Sequence, residues 1–226
     1  VAASRGPRPG SSGHRHILRT RIVHGFVRHG MLARGDWDFA WGHPVNQEDY
    51  ASTLLAFSHV YLRSMGRLGT PLSEEEEHSV HQLYRWVGQV IGVAPELLTA
   101  SRDEERRLYV LLTRRQLHPD DDSRRLTTAL LDTLGGKAPF YLPRSALASL
   151  TRHLHGEAMS DALGLPPAGA WRRVSVALGA LGSTYRLAER VPLASFAMEH
   201  LGERISRLIH AHALKPPPRG EAGPRG

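Results

Sequence analysis

The sequence predicts an all-α protein. Three observations carry that reading. Apolar residues recur at helical spacing along most of the 226 residues, no alternating apolar and polar run exceeds about four residues, and caps and breakers fill the intervals between apolar stretches. No repeat of fixed period is present.

The first helix is expected over about 16–32, where Ile17, Thr20, His24, Val27, Arg28 and Met31 share one side at a period of 3.6. A Gly42-x-Pro44-x-Asn46-Gln47 turn follows, and Asn46 caps a second helix running from Gln47 to about Arg67, with Glu48 and Asp49 at its positive end and Gly69 as its stop. Ser73 with Glu76 forms a capping box for a helix that carries Leu83, Trp86, Val87, Val90 and Ile91 and ends before Gly92. Ser101 with Glu104 repeats the device for a helix through Leu117, ended by His118-Pro119. Further helices are expected near 120–134, 143–163, 168–189 and 193–213, with Gly135-Gly136 as a C-cap. About seven or eight helices suit an orthogonal bundle around an internal pocket.

Composition bounds the function. At 41% hydrophobic residues and without a bilayer-spanning apolar run, the chain reads as one soluble helical domain over 15–213. Residues 1–14 are a flexible leader and 214–226 a Pro/Gly-rich tail, both too polar to offset their ordering entropy. No leader for export is visible, which favours a cytoplasmic location, although Val1 in place of Met leaves the native start open. The absence of cysteine excludes disulfides, thiolate catalysis, iron–sulfur clusters and cysteine-ligated zinc. The net charge of +7 invites a nucleic-acid partner, but all basic residues except Lys137 and Lys215 are arginines and they are spread along the chain, so no nucleic acid is expected. Phosphate-loop, dinucleotide, nucleophile-elbow and His-Glu-x-x-His motifs are missing.

His24 is the residue that suggests chemistry. It lies among apolar neighbours with Arg21 three residues before and Arg28 four after, while Gly25 leaves room for a flat ring at the helix backbone. Neutral imidazole is a good iron ligand, and Arg21 or Arg28 could meet a haem propionate through paired bonds. On spacing alone, a hydrogen-bonded core histidine is the commoner explanation of such a residue.

Several motifs occur together in order: Arg21-x-x-His24-x-x-Val27-Arg28, Trp37-Asp38, Gly42-x-Pro44-x-Asn46-Gln47-x-Asp49, Thr53-Leu54-Leu55-x-Phe57, and Trp86-x-Gly88-x-x-x-Gly92-Val93. This series, over about 19–98, resembles the catalytic domain of the latex-clearing rubber oxygenases and MpaB-type oxygenases. The resemblance implies a helical fold holding haem b with His24 as axial ligand of the iron. It also implies that molecular oxygen is used to cleave or oxygenate an isoprenoid-like or other apolar substrate. It places distal catalytic residues upstream of the Arg-x-x-His motif, so none is named here. Trp41 and Pro44 should pack the corner between the first two helices, Asn46 and Gln47 should brace it, and Trp86 should complete the motif. Tyr84 and Gln89 depart from the family pattern, which often has Trp and His there.

The expected function is therefore a haem-b-dependent oxygenase. The alternative is a catalytically silent helical module that binds an apolar ligand. His29 lies too far round the helix to share a metal with His24, and His78 and His81 read as part of a solvated helix start beside Glu74–Glu77. The pairs His153/His155 and His210/His212 read as surface residues.

Overall fold

A computed structural model of the chain describes residues 8–137, 141–188, 196 and 200–208. Among the described residues there are nine α-helices and no strand, so the protein is all-α. They are α1 Ser12–Ala33, α2 Gln47–Leu55, α3 Tyr61–Arg67, α4 Glu74–Ile91, α5 Arg102–Gln116, α6 Asp121–Leu134, α7 Arg144–His155, α8 Glu157–Ala162 and α9 Trp171–Ala188. Residues 200–208 are helical as well, and the rest of the helix expected near 193–213, with His210 and His212, lies outside the described residues.

The capped starts form as the sequence predicts. Asn46 accepts from the Asp49 amide at 3.1 Å while Asp49 accepts from the Asn46 amide at 2.9 Å, and Ser73 and Glu76 exchange the same pair of bonds. Each pair satisfies two amides that a helix start leaves without partners. Gly92 ends α4 in the left-handed conformation, at φ 96°. The first helix starts at Ser12, a turn earlier than expected, because Ser11 accepts from the His14 amide and caps it. The helix expected over 47–67 is divided by a π turn, Ala56–Val60, and the one expected over 143–163 by Gly156, whose φ of 92° few other residues could adopt.

Packing groups the chain into two compact units. The first holds residues 1–67 and 71–118, and its core is Ala51, Leu55 and Leu112 with Leu97, Leu108 and Tyr109 against them. In this unit α4 packs against α1, α2 and the π turn, and α2 packs against α5. Gly88 permits the close approach on α4, since a Cβ there would lie 2.5 Å from Leu98 and 2.7 Å from Leu54.

The second unit holds 68–70 and the chain from Pro119 onward, with Leu131, Ala148 and Leu165 as its core. Its central helix, α7, packs on α6, α8 and α9. Arg152 is buried there, donating to the Leu165 carbonyl at 2.6 Å and pairing with Glu157 and Asp161 at 2.5 and 2.7 Å. A small-residue face on α9 lets the 68–70 turn lie directly against it: a Cβ on Gly182 would stand 2.0 Å from the Leu68 carbonyl oxygen.

Candidate functional site

The Arg-x-x-His segment occupies the middle of α1, and two arginines hold that helix in place while a glutamine joins the two elements they reach. Arg21 donates from Nη1 to the Val90 carbonyl at 3.1 Å and lies over Gly92, where any Cβ would meet its guanidinium at 3.0 Å. A cation at the carbonyl end of α4 is also favoured by the helix dipole. Arg28 donates from Nε to the Pro44 carbonyl at 3.1 Å and from Nη2 to the Val45 carbonyl. Gln47 completes the set, donating to the Gly92 carbonyl at 3.2 Å and accepting from the Ala94 amide at 2.8 Å. Arg21 and Arg28 thus fix α1 against the end of α4 and the turn before α2, and Gln47 ties the start of α2 to the end of α4.

The held turn is strained. Val45 adopts φ 53°, a left-handed conformation that a β-branched residue rarely takes. Such backbone persists only where surrounding contacts determine it, and the Arg28 fork supplies them at Pro44 and Val45. Pro44 is fully buried at this corner. Trp41 does not pack there as expected, being 71% exposed, and meets Trp37 edge-on at 5.5 Å, while Trp37 is the one that donates to the Gly42 carbonyl. Asn46 also donates to the His43 carbonyl at 3.1 Å. Trp86 is half-buried on α4 with the His14 ring of α1 6.1 Å away.

His24 faces Tyr50 of α2, the ring centroids 5.2 Å apart and tilted by 55°. The imidazole is half-buried, and its Nδ1 is buried without a hydrogen-bond partner. His59 and His81 bury an unpartnered Nδ1 in the same way, so this feature leaves His24 open both to a ligand role and to a place in the packing. Beside His24 a Cβ on Gly25 would meet nothing within 4 Å. No side chain of α1 is fully buried, and Ile22, Val23, Phe26 and Val27 are 57, 55, 72 and 40% exposed. An apolar helix face of this size in water marks a surface that takes an apolar partner or ligand. His29 is exposed on the same helix.

The buried, unpartnered nitrogen of His24 beside the open backbone of Gly25 fits a flat, iron-bearing macrocycle. Among the described residues no three His, Asp or Glu side chains gather to bind a metal, and a macrocycle that supplies the remaining donors needs only one imidazole.

A second polar cluster escaped the sequence reading. Glu105 of α5 is 2% exposed, accepts from Ser58 of the π turn and pairs with Arg102, which reaches Glu77 at 3.4 Å. His81, placed by sequence in a solvated helix start, is 2% exposed and shares a hydrogen bond with Thr99 at 3.1 Å. Its position at the boundary of the charged first turn and the apolar stripe of α4 was the available signal. Burial pushes His81 and His59 below the ordinary histidine range, Glu105 opposing that shift in both.

The family model described as the catalytic domain of the ER-bound oxygenases mpaB/B′ and rubber oxygenase matches residues 3–187. The chain belongs to this family. A solved structure described as the latex clearing protein LCP in the closed state shares the fold, with a TM-score of 0.68 and 20% sequence identity, over 77% of this chain. The chain spans 48% of that structure. No curated protein matches the sequence. The shared fold agrees with the all-α architecture, and among the described residues no helix is long and apolar enough to cross a membrane.

Proposed function

We propose that this chain carries a haem-b-dependent oxygenase site acting on an apolar, isoprenoid-like or other lipophilic substrate, with His24 as the axial ligand of the iron. The observation that carries the reading is the buried, unpartnered nitrogen of His24 beside the open backbone of Gly25. Membership in an oxygenase family supports the reaction class.

Haem b, when bound, would supply the oxygen chemistry that amino-acid side chains lack. The chain's own residues bind and orient. His24 would offer an imidazole nitrogen, and Tyr50 packs against its ring from α2. Arg21 and Arg28 fix α1 through the Val90, Pro44 and Val45 carbonyls, and their remaining N–H donors could meet haem propionates. Val27, which shares the His24 side of α1, offers apolar surface that would help exclude water from a bound ring.

The exposed apolar face of α1 supports a second reading, a haem-free module that takes an apolar ligand. A haem titration of the full chain beside His24→Ala separates the two. A Soret band that saturates at one haem per chain and disappears in the variant supports ligation by His24. A folded helical protein that develops no band leaves the binding-module reading. A band that persists unchanged in the variant overturns His24 as the ligand.

A further inference from the structure

The first unit buries an ionisable cluster that the His24 site does not use. At the meeting of the π turn, α4 and α5, Glu105 accepts from Ser58 and Arg102. Two imidazoles border it. His81 uses Nε2 on Thr99 and buries Nδ1 without a partner, and His59, its ring 4.6 Å from that of Tyr109, buries Nδ1 in the same way. Arg85 and Arg102 each bury an unpartnered Nε–H. Ser58, His81, Arg85 and Glu105 line one cavity of about 20 Å³.

The charges around the imidazoles are unevenly matched. His81 faces Glu105 and Arg102 of α5 and His78 and Arg85 of its own helix. His59 faces Glu105, Arg102 and Arg106 of α5 and Arg63 of α3. From α2 the cavity wall is Ala51, Leu54 and Leu55, while α1 meets α4 further along, with His14 at Trp86 and Arg21 at Val90. The one carboxylate facing both imidazoles, Glu105, is already engaged by Arg102 and Ser58. Arg102 also reaches Glu77 at 3.4 Å, and a proton added to the buried His81 or the half-buried His59 would lie among guanidiniums, with burial opposing it.

We propose that this cluster is an acid-sensitive latch: His59 and His81 must stay neutral for the π turn, α4 and α5 to remain packed, and proton uptake in mildly acidic solution loosens that packing. The inference goes beyond the haem reading and does not depend on it. Its sign follows from linkage. Burial lowers both imidazoles in the packed state, the nearby arginines lower them further, and Glu105 offsets part of this. The unfolded chain binds its protons near the ordinary value of about 6.5. The stability at stake is fully present above that value and is lost as pH falls from there through the lowered folded values.

The test uses the full haem-free chain. Thermal melting followed by circular dichroism is compared at about pH 7.5 and about pH 5.5, either side of the ordinary histidine value, for wild type and for His59→Gln/His81→Gln, whose amides cannot take up a proton. Wild type should lose several degrees more than the double variant. NMR titration of the wild-type imidazoles should show His59 and His81 neutral at a pH where free histidine is protonated. Equal losses in the two proteins overturn the latch, as do folded-state imidazoles titrating at or above the free-histidine value. If the double variant does not fold, the wild-type titration alone decides.

Discussion

Tyr50 sets the plane of the His24 ring, the two centroids lying 5.2 Å apart at a tilt of 55°. Tyr50 is 8% exposed on the first turns of α2, a helix start fixed by the Asn46–Asp49 capping box and by the two bonds of Gln47 to the end of α4. The imidazole on α1 thereby takes its orientation from a turn about twenty residues away, whose register Arg28 and Gln47 hold.

Tyr50→Ala should remove that support and leave a cavity, costing about 3–5 kcal/mol, while Tyr50→Phe keeps the ring and should cost less than about 1.5 kcal/mol. Urea unfolding measures both. The haem-loaded Phe variant should keep the wild-type Soret position, and a shift there as large as that of the Ala variant would contradict a role based on ring contact.

Gly25→Ala separates stability from cofactor access. A Cβ at this position meets nothing within 4 Å, so in the haem-free chain the substitution should stabilise α1 by about 0.5–1 kcal/mol. If a flat ring lies against this backbone, the same variant should take up haem more weakly. Unchanged affinity would move the ring away from Gly25.

Arg28→Gln should leave the Pro44 and Val45 carbonyls without their charged donor and free the strained turn, costing about 1–3 kcal/mol. Comparing haem with its propionate dimethyl ester divides the two roles of this residue. A loss of affinity confined to the free-acid haem reports a propionate contact, and an equal loss with both reports positioning of α1.

Gly182→Ala should be among the most damaging small changes in the second unit, beside Gly69→Ala, whose Cβ would stand 1.7 Å from the Gly179 carbonyl oxygen. The Cβ of Gly182→Ala would stand 2.0 Å from the Leu68 carbonyl oxygen, a backbone atom that cannot turn aside, and a loss above about 4 kcal/mol is expected. Guanidinium unfolding followed at Trp171 of α9 would detect it. Gly30→Ala, with nothing within 4 Å, is the matched control.

Much of the fold was legible in the chain because its signals are local. Capping boxes at Asn46 and Ser73, the left-handed Gly92 and the proline after α5 act within one turn of backbone, and each element begins or ends where they stand. The π turn over Ala56–Val60 gave no comparable sign, since no Gly or Pro interrupts it. Its Ser58 bonds to Glu105, forty-seven residues on, and local pattern cannot report such a partner. His81 escaped for the same reason: four glutamates precede it, yet packing of α4 on the segment that carries Thr99 buries it.

By itself the sequence determined the helical class, the element boundaries set by caps and glycines, and the motif order that singles out His24, because these depend on periodicity and on chemistry within a turn. Only the tertiary structure decided which groups meet. It committed Arg21 and Arg28 to the Val90, Pro44 and Val45 carbonyls, turned Trp41 outward and Trp37 onto Gly42, and left the apolar face of α1 uncovered. It also buried Glu105 between two imidazoles. Those outcomes depend on distances between residues far apart in the chain, where burial and partner geometry, not residue type, set the energy of each contact.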